Sequence, residues 1–129
     1  MGNEACMAAA SAFAEALSRY LMANARRTIS IAEVVGQDTV RVSVRVLFRG
    51  HNPLYGFPRA VDALSYLINA GFGEWARRRW GWSFNEIDNG YLIIPLKWLR
   101  TYLNRKANDL ILEVKGFCEK VSEEKEKIG

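Results

Sequence analysis

Thr28-Ile29-Ser30-Ile31-Ala32-Glu33-Val34-Val35-Gly36-Gln37-Asp38-Thr39-Val40-Arg41-Val42-Ser43-Val44-Arg45-Val46-Leu47-Phe48 is the stretch on which the fold turns. Apolar and polar residues alternate with period two on either side of Gly36-Gln37-Asp38, the pattern of two strands joined by a glycine-led turn. Setting Val35 opposite Asp38 pairs Glu33 with Val40, Ile31 with Val42 and Ile29 with Val44. One face then carries Ile29, Ile31, Val42, Val44 and Val46, and the other Thr28, Ser30, Ala32, Arg41, Ser43 and Arg45. Arg41, Arg45 and Arg49 follow in one row along the second strand, as a solvated sheet face or as a basic track.

Upstream of this hairpin, Ala5 to Ala25 is rich in Ala, Leu and Met, the strongest helix formers. Ala10, Phe13, Ala14, Leu17 and Leu21 form a stripe at spacings of three and four, and Arg26 and Arg27 close the helix favourably for its dipole. Ser11, Glu15, Ser18, Arg19 and Asn24 interrupt it, so it is too polar to cross a bilayer, and it lacks the basic leading end of a secretory signal.

Downstream, Gly50, Pro53 and Gly56 punctuate a loop from Arg49 to Phe57. Pro58 opens a helix carrying Val61, Leu64, Ser65, Leu67 and Ile68 and ending at Ala70-Gly71, and Phe72 to Trp80 reads as a second, short helix. Trp82 to Ile87 and Tyr91 to Ile94 flank Asp88-Asn89-Gly90, the strongest hairpin signal in the chain. Its parity puts Trp82, Phe84, Glu86, Tyr91 and Ile93 on one face, with Ser83, Asn85, Ile87, Leu92 and Ile94 on the other. After Pro95 a last helix runs from Leu96 to about Lys127, with Leu103, Ala107, Leu110, Val114, Phe117 and Val121 at alternating steps of four and three. The expected fold is therefore α+β, ordered helix, β-hairpin, helices, β-hairpin, long C-terminal helix. Its two hairpins make a four-stranded antiparallel sheet with the helices packed on one face.

At 129 residues, half hydrophobic and a quarter charged, the chain is long enough to bury a core. The formal charge of +4 is unevenly placed: residues 1–24 carry −1, residues 25–106 carry +7 and residues 107–129 carry −2. The middle is the part suited to a polyanion, and its bases are eleven Arg and two Lys. Cys6 and Cys118 lie near opposite ends with no second Cys or His at ligand spacing, which predicts a reduced pair in the cytoplasm and no zinc.

Glu74-Trp75-Ala76-Arg77-Arg78-Arg79-Trp80-Gly81-Trp82-Ser83-Phe84 sets three of four tryptophans around three consecutive arginines. Guanidinium groups neutralise phosphates, and flat rings give unpaired bases a stacking surface. The alternative makes the tryptophans core and the arginines a solvated edge. Catalytic chemistry finds little footing: His51 stands in a loop without an orienting acid near it, and Gly71-Phe72-Gly73 lacks the preceding strand and third glycine of a dinucleotide motif. No paired carboxylates, metal-ligand motif or phosphate-cradling loop is present, so neither an enzyme nor a metal or other cofactor is expected.

The Arg41, Arg45 and Arg49 row, the Phe57-Pro58-Arg59 helix start, the Trp75 to Phe84 cluster and the zipper-like Leu103 to Val121 run together resemble the ThermoDBP family, single-stranded DNA-binding proteins of some hyperthermophilic archaea. The likeness is architectural, covers most of the chain and rests on no short motif. It implies a positive, aromatic-lined cleft that takes single strands without sequence preference, and dimerisation through the terminal helix. Residues 1–100 would form the α+β binding domain and residues 101–129 a helical extension dimerising as a coiled coil through Leu103, Ala107, Leu110, Val114, Phe117 and Val121. Arg41, Arg45, Arg49, Arg59, Arg77, Arg78 and Arg79 would hold phosphates of single-stranded DNA, or RNA, while Tyr55, Phe57, Trp80, Trp82 and Tyr91 would stack on bases. The competing readings are a structural or regulatory dimer that recruits a protein through its last helix, and an architectural protein bound to RNA or duplex.

Overall fold

Gly36 ends a helix and does not turn a hairpin. In the computed structural model, which describes residues 4–47, 55–85, 90–103 and 107–128, the first helix, α1, runs Glu4–Val35. Leu21, Ala25, Ile29 and Ala32 are all buried, so the apolar stripe of the helix continues at steps of four and three straight through the supposed strand. The alternation of Ile29 with Ile31 goes unused, and Ile31 stays exposed. Gly36 adopts φ 71°, its N–H donating to the Glu33 carbonyl at 3.2 Å while Gln37 N–H reaches Ala32 O at 2.9 Å. That pair of bonds is a Schellman cap, which gives the last carbonyls partners and needs a left-handed residue at Gly36. Arg26 and Arg27 are therefore exposed mid-helix residues and not the helix end.

The sheet consequently has three strands in the order β1-β3-β2, not four from two hairpins, within a mostly helical α+β chain. Strand β1, Thr39–Ser43, lost its expected partner to α1 and pairs antiparallel with β3, Tyr91–Pro95, setting Val42 against Leu92. Helix α2, Val44–Leu47, follows directly, so Arg41 and Arg45 do not share a strand; Arg49 lies outside the described residues. Strand β2, Ser83–Asn85, takes the other edge of β3 with Phe84 opposite Leu92. This register is one residue off the expected parity. Tyr91 and Ile93 share the outer face with Ser83 and Arg41, while Phe84, Leu92 and Ile94 turn inward with Val40 and Val42.

Helix α3, Ala60–Asn69, begins two residues after Pro58, where the Arg59 N–H donates to the Asp62 carboxylate at 3.1 Å and so receives the cap that the first turn requires. Helix α4, Phe72–Trp80, buries Phe72, Ala76 and Trp80 at steps of four. Gly81 then stops it at φ 75°, where an added Cβ would stand 3.2 Å from Pro95 Cγ. The resulting reversal drops Trp82 into the centre of the core.

The expected long last helix is broken. Helix α5, Leu96–Tyr102, caps at Leu103, and helix α6, Ala107–Ile128, starts anew and packs along α1 more extensively than any other two elements meet. Leu110, Val114 and Phe117 are buried within this chain, Leu103 is exposed at the turn, and the side chains of Ala107 and Val121 lie outside the described residues. Leu110, Val114 and Phe117 of the heptad seam are thus covered within the chain, on the side of α6 that meets α1 and the aromatic core. Cys6 and Cys118 form a buried disulfide joining α1 to α6, correcting the reduced pair expected from their separation in sequence. Among the described residues no helix is long and apolar enough to cross a membrane.

Candidate nucleic-acid interface

Helix α4 organises the site because its nine residues divide sharply by face. Phe72, Ala76 and Trp80 point inward, Trp75 sits half-buried on the shoulder, and Glu74, Arg77, Arg78 and Arg79 are exposed. The mutual repulsion of three adjacent guanidinium groups is relieved locally. Arg77 donates to Glu74 at 2.7 and 3.1 Å and Arg78 at 3.1 Å, the i,i+3 and i,i+4 geometry a helix allows. Hydrogen bonds from Arg77, then Arg78, pull the Glu74 carboxyl from 4.5 down to about 2. Arg79 has no carboxylate within ion-pair reach among the described residues. It lies over the Trp75 ring, 5.5 Å from its centroid, where the electron-rich face attracts a cation.

Three depressions run consecutively from α4 across α5. The first, about 340 Å³, lies between α4 and α6 and is lined by Trp75, Arg78, Arg79, Phe117 and Lys120. The second, about 680 Å³, is lined by Arg79, Trp80, Lys97, Trp98 and Glu113, and the third, about 460 Å³, by Glu33, Asp38, Leu96, Lys97 and Arg100. Arg79 belongs to both the first and the second, and Lys97 to both the second and the third. Lys120, Arg78, Arg79, Lys97 and Arg100 therefore line a series of depressions, a cationic track in which each depression shares a cation with the next. Acids temper it: Glu74 holds Arg78, Glu33 pairs with Arg100 at 3.0 Å, and Glu113 accepts the Trp80 indole N–H at 3.0 Å.

Of the described residues expected to bind, only Arg78, Arg79 and Trp80 line this track. Trp80 is 6% exposed and Trp82 0%, so neither offers a base a free face. The reason is packing: Trp82 meets Trp80 and Trp98 with centroids 4.9 Å away in each case, and Phe72 contacts Trp80, Phe84 and Phe117 around it. Large rings bury more apolar area than any other side chains, and here they are the core. Arg77 is exposed beside the track but paired with Glu74. Tyr55 donates its hydroxyl to Glu15, which together with burial raises the phenol's pKa; Phe57 packs edge-on against Tyr66, and Arg59 pairs with Asp62. Arg41 and the 45% exposed Tyr91 share the outer sheet face, and Arg45 is exposed on α2. None of these lines the three depressions.

No protein-family model, curated protein or solved structure matches the chain. The likeness to ThermoDBP accordingly stands on sequence features alone, among which the fold sets Arg41 and Arg45 on different elements and buries Leu110, Val114 and Phe117 of the heptad run within the chain. Among the described residues no group of three or more His, Cys, Asp or Glu side chains is placed to hold a metal ion.

The sequence reading counts Trp75 in the aromatic cluster without assigning it a contact, and passes over Lys97, Arg100 and Lys120. For Trp75 a signal existed, because Trp75 and Arg79 stand four apart on one helix and so must neighbour each other. Lys97 and Lys120 carried none, since only the packing of α5 and α6 around α4 brings them to it.

Proposed function

We propose that this protein binds single-stranded nucleic acid without catalysis and without reading sequence, laying the phosphate backbone along the track from Lys120 through Arg79 and Lys97 to Arg100. One observation supports this above the rest. Arg79 and Lys97, both without a carboxylate partner among the described residues, each line two of the three depressions, which offers a strand crossing from one to the next a cation at each passage. Cations without internal partners release counterions from a polyanion at no cost in broken ion pairs. The depressions are concave and small, which suits a flexible strand that bends over the intervening side chains better than a stiff duplex. One chain carries the whole track, so the reading requires no second copy.

The grip differs from the one expected from sequence in that Trp80 and Trp82 supply structure instead of stacking platforms. The buried disulfide suits an oxidising compartment, or the interior of a hyperthermophile, whose intracellular proteins are rich in such bonds. The test is fluorescence anisotropy of a labelled oligo-dT strand at low salt, with unlabelled DNA and RNA competitors. Binding displaced equally by unrelated single strands and poorly by duplex is the expected result. An absence of binding, or duplex competing as well as single strand, overturns the reading.

A further inference from the structure

The Trp75 indole occupies an unusual position among the tryptophans. Phe72 stacks on it from the core, with centroids 5.5 Å apart and planes 24° apart, and Phe117 lies tilted beside it at 5.7 Å. These contacts fix the ring, yet it stays half-buried and lines the 340 Å³ depression between α4 and α6. A space of that size is in the range that encloses a small planar ligand. Trp80 meets the Trp75 ring at a steep angle with centroids 5.0 Å apart, and the Arg79 guanidinium, held by no carboxylate among the described residues, lies over the same ring 5.5 Å from its centroid. Arg78 and Lys120 flank the same depression.

We infer that Trp75 is a nucleobase platform that Arg79 shields in the free protein. A base entering the depression replaces the guanidinium on the indole, and the displaced guanidinium, still anchored one turn along α4, takes the adjoining phosphate. The exchange is favourable because stacking of a base on an aromatic ring is stronger than an exposed cation–π contact, and because the guanidinium gains an anion on leaving. This inference rests on the proposed binding along the track and adds to it a contact with the base itself.

The experiment compares oligo-dT with an abasic deoxyribose-phosphate strand of equal length. Both should bind in a salt-dependent manner, with oligo-dT about 5- to 100-fold tighter, and Trp75→Leu should bring that ratio close to one. Equal affinities for the two strands, or a ratio that survives Trp75→Leu, overturn the inference while leaving the backbone grip intact. Binding of neither strand removes the grip itself. Arg79→Gln provides a readout independent of the folding of the Trp75 variant. Loss of the guanidinium should increase acrylamide quenching of indole fluorescence in the free protein, and oligo-dT should restore protection. Quenching identical to that of the native protein, with no protection by oligo-dT, would contradict the shielding.

Discussion

The indole nitrogen of Trp80 donates to the carboxylate of Glu113 at 3.0 Å, linking the last residue of α4 to the first third of α6 at the edge of the central depression. Trp80 is otherwise buried among rings, so this bond gives its only polar side-chain atom a partner and ties α6 to α4. It also places a negative charge among the cations of the track.

Glu113→Ala should therefore destabilise the protein by about 1–3 kcal/mol, the cost of leaving a buried donor unpaired. Glu113→Gln keeps an acceptor and removes the charge, so it should cost less stability and bind single strands more tightly. Urea unfolding and anisotropy titrations measure the two effects separately. A Gln variant with weakened binding would contradict the placement of Glu113 on the track.

Glu74 restrains two arginines, and Glu74→Gln should raise affinity for single strands at low salt by releasing Arg77 and Arg78. Its carboxyl titrates at about 2 in the fold against an ordinary 4.5. Because the folded value is the lower, its contribution to stability is complete above about pH 4.5 and disappears as pH falls through 2. The melting-temperature gap between the native protein and Glu74→Gln should be small, as befits exposed ion pairs, constant near neutrality and shrinking only below pH 4.5. A gap that closes between pH 7 and 5 would contradict this.

The disulfide between Cys6 and Cys118 closes a loop across 112 positions of sequence. Cross-links over long loops restrict the unfolded chain strongly, and their loss typically costs about 2–5 kcal/mol. Cys6→Ser or reduction should lower the melting temperature accordingly, because α6 would then be held to α1 by packing alone. An unchanged melting temperature on verified reduction would contradict the bond's role.

Trp82→Ala should destabilise the fold by about 3–5 kcal/mol, the usual cost of emptying a large aromatic site in a core. Thermal melts report it directly. Trp82→Phe, which keeps a ring in the site, should restore part of the stability and leave strand affinity near that of the native protein.

Helix α4 was legible in sequence to the residue, because glycines bracket it and its apolar positions fall four apart. The Thr28 to Val35 segment was not. Its β-branched residues satisfy a two-residue period and a helical one at once, and the deciding contacts, Ile29 and Ala32 against the rest of the core, are tertiary. The segments on either side of Asp88-Asn89-Gly90 do pair, but as the edge and central strands of a three-stranded sheet and with Asn85 opposite Tyr91, so that a slip of one residue from the expected parity puts Tyr91 on the outer face. The heptads of α6 announced a helix needing an apolar partner without saying that α1 of the same chain would supply it. The aromatic and arginine cluster was visible as a unit, yet only the fold separates Trp82, sealed at its centre, from Trp75 at its edge.

The dependence of affinity on salt tests the backbone grip most directly. For single strands the logarithm of the binding constant falls with the logarithm of salt concentration by about 0.7 for each phosphate neutralised. With Arg79, Lys97 and Lys120 on the track and unpaired among the described residues, the native protein should show a slope of about −2 or steeper, and Lys97→Ala and Lys120→Ala should each flatten it by about 0.7. A slope near zero, or one that the Lys97→Ala/Lys120→Ala double variant leaves unchanged, would contradict the account.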